Sequence, residues 1–381
     1  MTKKERALAA IKFKSVDKIP SAYRGLSNLS IRLNKHFGFE EPENLVKNYK
    51  KLIEAIGADF YASGSKICKF TTYTARYLGP EPQKPYVKDH AYYYQLGANS
   101  KYGEGGDGEK SIIYDVVTDP PLALLEKASD IKDGFLTERL AFFDFGYFDN
   151  KYGSKDLSYD GFLNSSDEFI CMGNLAHLFM ICWALRGYEQ FLTDLAFNIK
   201  FAKKLINEVC GFAIEYTRRE LDAFGNVAEY FGTADDVAGQ YGMLFSPEIF
   251  KKYFLPHYKK LISLVKSHGV IFSWHCCGSI HKVLPMMIDA GINVFDVVQT
   301  SAKNMELENI YRIYGKDVCI HGGVDVQNLL IFKRPIEIKE EVKKVKNLWG
   351  NRGGVIVAPS HEALPETPIE NILALYEELN S

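Results

Sequence analysis

The sequence lacks the features that mark several classes of protein. No stretch approaches the about 20 apolar residues that span a bilayer, so we expect no membrane-spanning helix and no membrane partner. A formal net charge of −2 without a long basic run gives no general attraction to nucleic acid. No Gly-x-Gly-x-x-Gly follows an early predicted strand, and no Walker-type Gly-Lys-Ser occurs, so a nucleotide-binding fold has little support.

Cysteine is too scarce for a disulfide framework, with seven in 381 residues. The first residues, Met-Thr-Lys-Lys-Glu, are charged and predict a helix rather than an apolar secretory core. We therefore expect a cytoplasmic protein whose thiols are reduced and available to metals.

Aromatic residues are abundant, with 23 tyrosines and 25 phenylalanines. Many tyrosines fall in the segment 63–155, which also holds a glycine cluster at 103–108 and is predicted to be a long irregular insertion. Tyr92, Tyr93 and Tyr94 are candidates there for substrate contact.

A capping box formed by Thr2 and Glu5 predicts a helical N-terminal extension. Beyond residue 167, strands alternate with helices, which indicates parallel βαβ units. The predicted strands are 168–174, 226–231, 270–276, 292–298, 317–321 and 354–358. They are almost wholly apolar, as strands covered on both faces are.

This alternation fits both an open doubly wound sheet and a closed barrel. Polar residues just past the predicted strand ends favour the barrel, because a barrel collects such positions around one mouth. These residues are Asp235, Asp236, His275, Cys277, Gln299, Asp325, Ser360 and His361. Without an evident linker, we expect one domain over 1–381.

The stretch 270–278, Val-Ile-Phe-Ser-Trp-His-Cys-Cys-Gly, begins as a buried strand and ends in metal-capable side chains. Strand side chains alternate between faces, so His275 and Cys277 should point one way and Cys276 the other. Imidazole and thiolate suit zinc, and two of them make half of a tetrahedral site.

The segment 274–278, Trp-His-Cys-Cys-Gly, resembles the His-x-Cys-Gly element of the uroporphyrinogen decarboxylase superfamily. The likeness continues at 234–236, 245–248, 322–325 and from 358 to 372. It implies a single (β/α)8 TIM barrel, here with an N-terminal helical extension and a long aromatic-rich insertion. The decarboxylases proper also carry an Arg-Gln-Ala-Gly-Arg element for an acidic tetrapyrrole. Here the region 20–28 keeps only Arg24, which counts against that substrate.

The superfamily also contains cobalamin-dependent methyltransferases, whose zinc site is completed by a distant cysteine after Pro-Gly. Here Pro359 and Ser360 are followed by His361. The resemblance implies zinc held by His275, Cys277 and His361, although His361 also matches a metal-free histidine of the decarboxylases.

Carboxylates near the predicted site supply further candidate roles. Asp236 or Glu229 would supply a fourth ligand or a proton-transfer group, Asp235 is a further catalytic candidate, and Asp325 would orient a ligand histidine.

The resemblance favours a zinc-dependent methyltransferase that moves a methyl group between a small-molecule donor or acceptor, such as a methoxy compound, and a corrinoid. No Asp-x-His-x-x-Gly occurs, so the cobalamin would be carried by a partner corrinoid protein. One alternative is a metal-independent decarboxylase or lyase acting on a smaller acid, with His361, Asp235 or Asp236 as proton donor. Another is a non-catalytic corrinoid- or tetrapyrrole-binding protein. The oligomeric state stays open, a homodimer included.

Overall fold

A computed structural model describes residues 1–63, 66–68, 73–80, 95–102, 115–150, 169, 171–173, 175–226 and 228–381. Eight strands in it run parallel to their neighbours. They are β1 (Ala22–Tyr23), β2 (Phe60–Ser63), β3 (Cys171–Met172), β4 (Tyr230–Ala234), β5 (Ile271–His275), β6 (Val294–Val298), β7 (Cys319–Val324) and β8 (Val355–Pro359).

Strands β3 to β8 form one six-stranded parallel sheet in chain order. Single bridges continue this sheet from β8 to the chain around β1, joining Ser21 to Val357 and Gly25 to Ala363, and β1 pairs with β2. The strand order is therefore 3-4-5-6-7-8-1-2. Pairing of β2 with β3, which would close a barrel, is not among the ladders of the described ranges.

Helices separate the sheet strands, as the sequence pattern predicts. They are Lys3–Ile11, Ser27–His36, Leu45–Ile56, Leu178–Arg186, Tyr188–Phe197, Ile199–Phe224, Pro247–Ile249, Leu255–Ser267, Leu284–Ala290, Leu307–Tyr314, Leu329–Phe332, Pro335–Trp349 and Ile369–Asn380. A π-helical turn spans Phe250–Phe254, and 3₁₀ turns span Ala128–Asp130 and Thr137–Phe142. No helix in the described ranges combines the length and apolar character that a membrane span requires.

The segment 63–155 contains more regular structure than its sequence predicts. Its described parts hold the strands Lys66–Cys68, Tyr73–Tyr77, Asn99–Tyr102, Asp115–Asp119 and Phe143–Asn150. The second of these pairs antiparallel with the fifth, and the third with the fourth. The tyrosines at 92–94 and the glycine cluster at 103–108 lie outside the described residues. A further antiparallel pair, Ala238–Gly239 with Gly242–Met243, follows β4.

One buried cluster draws residues from the sheet strands. It comprises Ala7, Ile11, Ala22, Phe60, Ala62, Phe169, Cys171, Tyr230, Val294, Cys319, Ile356 and Ala358, with Ile271 packed against it. The Phe169 ring lies 5.7 Å from that of Phe60 and 5.9 Å from that of Tyr230, between centroids. Apolar side chains from β1, β2 and the six-stranded sheet therefore pack together in one core.

Candidate metal centre

Strand β5 ends at His275, and the chain continues through Cys276 and Cys277 into Gly278. Cys276 is fully buried in the hydrophobic core, whereas Cys277 lies beside His275 in the candidate site. The alternation predicted from the sequence is confirmed. Gly278 has a φ of +87°, and a Cβ there would lie 2.7 Å from the carbonyl oxygen of Gly239, so the turn after the cysteines requires glycine.

His361 reaches the same place from the loop after β8. One ligand atom from each of His275, Cys277 and His361 lies within 4.8 Å of the other two. A tetrahedral zinc site with ordinary bond lengths places such atoms about 3.3–3.6 Å apart, so side-chain shifts of about 1 Å would form it. Two imidazoles and one thiol are a donor set that suits zinc, and the residues present therefore fit this metal.

The groups around Cys277 favour the protonated form of its thiol. Burial, reinforced by the charge of Asp236 and a hydrogen bond to it, raises the pKa of Cys277. Burial lowers the pKa of His361, which favours the neutral imidazole that ligates metals. A divalent cation bound between these groups would favour the thiolate form of Cys277, because a coordinating thiol loses its proton.

Asp236 lies at this cluster, as its sequence position predicts. Its Oδ1 accepts a hydrogen bond of 3.0 Å from the backbone N–H of Cys277 and lies 3.8 Å from Nε2 of His275. The carboxylate is partly exposed, so it remains open to solvent or substrate while touching the ligand loop. Gln299 supports the same loop, since its Oε1 accepts a 2.8 Å bond from the N–H of Gly278.

Asp235 points away from the cluster and caps a helix. Its buried carboxylate accepts hydrogen bonds of 2.6, 2.9 and 2.8 Å from the N–H groups of Leu178, Phe179 and Met180, and another from the hydroxyl of Tyr258. Burial raises its pKa to about 7, against the opposing effect of these four bonds. These contacts assign Asp235 to the start of the helix Leu178–Arg186 rather than to proton transfer.

Two further carboxylates are not where the sequence expectation places them. Asp325 accepts bonds from the backbone N–H groups of 327, 328 and 329 at 2.9–3.3 Å, so it caps the turn after β7 and does not contact a ligand histidine. Glu229 immediately precedes β4, at the end of the strand opposite Asp236, and its Oε2 lies 2.7 Å from Nζ of Lys4. A five-residue strand spans about 16 Å, which keeps Glu229 away from the cluster.

Three residues without a predicted site role surround His275. Asp296 lies on β6, and its Oδ2 makes a short contact with Nδ1 of His275. Both Asp296 oxygens accept bonds from Arg24, at 3.1 and 3.0 Å, and Nδ1 of His321 lies 2.7 Å from Oδ1. The sequence carries one sign of this group, a charged residue within the apolar Val-Phe-Asp-Val-Val of β6.

Comparison with known proteins agrees with this architecture. Residues 167–381 match the family model described as Uroporphyrinogen decarboxylase (URO-D). The chain belongs to the uroporphyrinogen decarboxylase family. A methyltransferase structure from Methanosarcina mazei covers 100% of the chain and 98% of its own, with a TM-score of 0.64 and 18% identity, which is a likeness of fold.

Curated relatives in this family carry two kinds of name. The methylcobamide:CoM methyltransferase MtaA of Methanosarcina barkeri is 29% identical over 206 residues, 51% of this chain and 56% of that protein. The uroporphyrinogen decarboxylase of Carboxydothermus hydrogenoformans is 25% identical over 174 residues, 46% of each. The chain thus spans about half the length of the curated relatives that it matches. Both kinds of relative match at comparable identity, so sequence identity does not distinguish between their activities. The residues of the site have to be compared instead.

Proposed function

We propose that this protein is a zinc-dependent methyltransferase, which moves a methyl group between a small substrate and the corrinoid of a partner protein. The observation that carries the proposal is the convergence of His275, Cys277 and His361 within 4.8 Å. We further infer that β1 to β8 close into a (β/α)8 barrel over one domain, 1–381, and that the protein is cytoplasmic.

The three ligands determine which substrates the site suits. His275, Cys277 and His361 would hold the zinc, with Asp236 beside them as a fourth ligand or as a group that holds a proton. When bound, the zinc would act as a Lewis acid, and with Asp236 holding a proton rather than ligating, two neutral imidazoles and one thiolate would leave it a net positive charge. This charge favours a methoxy compound, whose leaving oxygen needs stabilising, over a thiol such as coenzyme M.

The partner is inferred from the sequence and from the relatives. The chain lacks an Asp-x-His-x-x-Gly with which to offer a histidine to cobalt, and the matched MtaA and MtbA proteins are named methylcobamide methyltransferases. A separate corrinoid protein would therefore present its cofactor at the end of the strands where His275 and Asp236 lie.

The same structure disfavours a decarboxylase of acidic tetrapyrroles. Arg24, the arginine that remains in the region 20–28, is 1% exposed and donates to both oxygens of Asp296. A buried guanidinium engaged with an internal carboxylate does not present its fork to the carboxylates of a substrate.

The test begins with metal analysis of protein expressed without added metal. We expect about one zinc per chain, and its loss in His275→Ala and Cys277→Ala. Cys276→Ala is the matched control, since Cys276 is buried in the core and should leave the zinc content unchanged.

The activity assay follows methylation of a corrinoid protein by methoxy compounds, through the absorbance change of its cobalt centre. Turnover that requires Cys277 supports the proposal. Substoichiometric zinc that Cys277→Ala does not lower, together with chelator-insensitive release of carbon dioxide from small acids, would establish the decarboxylase alternative instead.

A further inference from the structure

The side chains behind His275 form a buried polar group from two strands and the segment after β1. Asp296, His321 and Arg24 are at most 1% exposed, and they come from β6, β7 and the residue after β1. Burying a carboxylate costs several kcal/mol of folding free energy unless charged or hydrogen-bonding partners compensate the loss of water. The position of Asp296 beside a candidate zinc ligand therefore needs a physical explanation.

We propose that Asp296 is a positioning residue for the metal centre, which holds the His275 ring so that its Nε2 faces Cys277 and His361. This inference rests on the proposed zinc site and deepens it, because it names the residue that selects the tautomer and the direction of one ligand.

The contact between the two side chains defines the tautomer. Oδ2 of Asp296 touches Nδ1 of His275, and a carboxylate offers only lone pairs, so Nδ1 carries the proton. Nε2 is then left with its lone pair, the atom that a neutral histidine uses toward a metal. This Nε2 lies on the side of Asp236, 3.8 Å from its Oδ1.

His361 shows the same arrangement at the surface. Its Nδ1 lies 3.2 Å from Oε2 of Glu362, and the two side chains are 31% and 37% exposed. Both histidines of the cluster thus have a carboxylate oxygen near Nδ1, which leaves Nε2 of each ring as the nitrogen for a metal. The Asp296 contact should be the stronger of the two, because burial removes competition from water.

Arg24 and His321 hold the Asp296 carboxylate in place. Nδ1 of His321 lies 2.7 Å from Oδ1 of Asp296. Arg24 binds both carboxylate oxygens, so the carboxylate cannot turn away from His275 without breaking those bonds. The role of Arg24 in this chain is therefore internal.

Zinc affinity, measured by competition with a chromogenic chelator, tests the proposal. We expect Asp296→Asn to weaken zinc binding by about 10- to 100-fold, because an amide can present either end to Nδ1 and no longer selects the tautomer. Glu362→Gln should cause a smaller loss.

Asp194→Asn is the matched control. Asp194 is 1% exposed and pairs with Arg186 at 2.7 Å, so this variant also breaks a buried ion pair, but away from the cluster. It should keep the wild-type zinc affinity at a similar loss of stability. Unchanged zinc affinity in folded Asp296→Asn, or an equal loss in Asp194→Asn, would overturn the proposal.

The tautomer of His275 provides a readout on the wild-type protein that does not depend on a variant of Asp296. Long-range ¹H–¹⁵N correlation spectra of histidine-labelled wild-type protein, assigned with His275→Gln, should show a protonated Nδ1. A proton on Nε2 with none on Nδ1 would refute the role of Asp296. Absence of zinc binding in the wild type would instead defeat the proposed function, and the tautomer would still decide the positioning.

Discussion

Asp235 and Asp296 lie on either side of β5, one after β4 and one on β6, and both carboxylates are fully buried. Asp235 accepts hydrogen bonds from three backbone N–H groups and a tyrosine hydroxyl. Asp296 is surrounded by Arg24, His275 and His321. The two aspartates are equally buried, but their carboxylates have different hydrogen-bond donors around them.

The donors decide what each carboxylate can do. Backbone N–H groups at a helix start are fixed by the helix, so Asp235 stabilises the position of that helix. An imidazole has a second nitrogen, so a carboxylate at one side of the ring controls what the other side presents. The neighbours of a buried aspartate in this sheet therefore decide what its carboxylate can do.

Replacing Asp235 should produce the largest stability change outside the cluster. Asp235→Ala leaves three helix N–H groups and the hydroxyl of Tyr258 without their acceptor, and we expect a loss of about 3 kcal/mol in unfolding free energy. Urea denaturation measures it, and zinc content per folded chain should not change. Zinc loss at unaltered stability would show that Asp235 belongs to the metal centre.

Asp325→Ala should have a smaller effect of the same kind. The variant removes the acceptor for the N–H groups of 327–329, and we expect a loss of about 1–2 kcal/mol because a cap of one turn is lost. Thermal unfolding followed by circular dichroism, with zinc analysis beside it, checks this. A fall in zinc affinity would restore Asp325 as a residue that orients a ligand.

Glu229→Gln provides the smallest expected change. Glu229 pairs with Lys4 near the surface at the start of β4, and such ion pairs contribute about 0.5 kcal/mol. Zinc affinity and methyl transfer should equal those of the wild type. An effect of tenfold or more on either would contradict the position of Glu229 at the far end of its strand.

Local patterns in the sequence predicted most of the secondary structure. The Thr2–Glu5 capping box starts the first helix, and the predicted strands 292–298 and 354–358 overlap β6 and β8. The helix Ser27–His36 was missed, since its N-cap position, Leu26, makes no side-chain cap bond. The strands within 63–155 were also missed, because long-range pairing rather than local periodicity holds them.

The sequence predicted only part of the candidate site. Positions set by the local strand pattern were predicted, whereas contacts between residues far apart in the chain were not. His275, Cys277 and Asp236 could be placed because each lies at a strand end or within two residues after it. Asp235 also follows a strand end, so its position alone predicts a role in the site. The backbone N–H groups that its carboxylate binds lie 55–57 residues earlier in the chain, and no sequence pattern predicts that contact.

The sequence by itself determined that His275 and Cys277 share a face and that Cys276 packs inward, because strand alternation is a property of the local backbone. It also supplied the family. The tertiary structure alone brought His361 to the other two ligands and set Asp296 behind His275, with Arg24 reaching it across 272 residues. Such contacts depend on how the parallel strands assemble, and no local pattern in the chain encodes which distant side chain meets a given strand end.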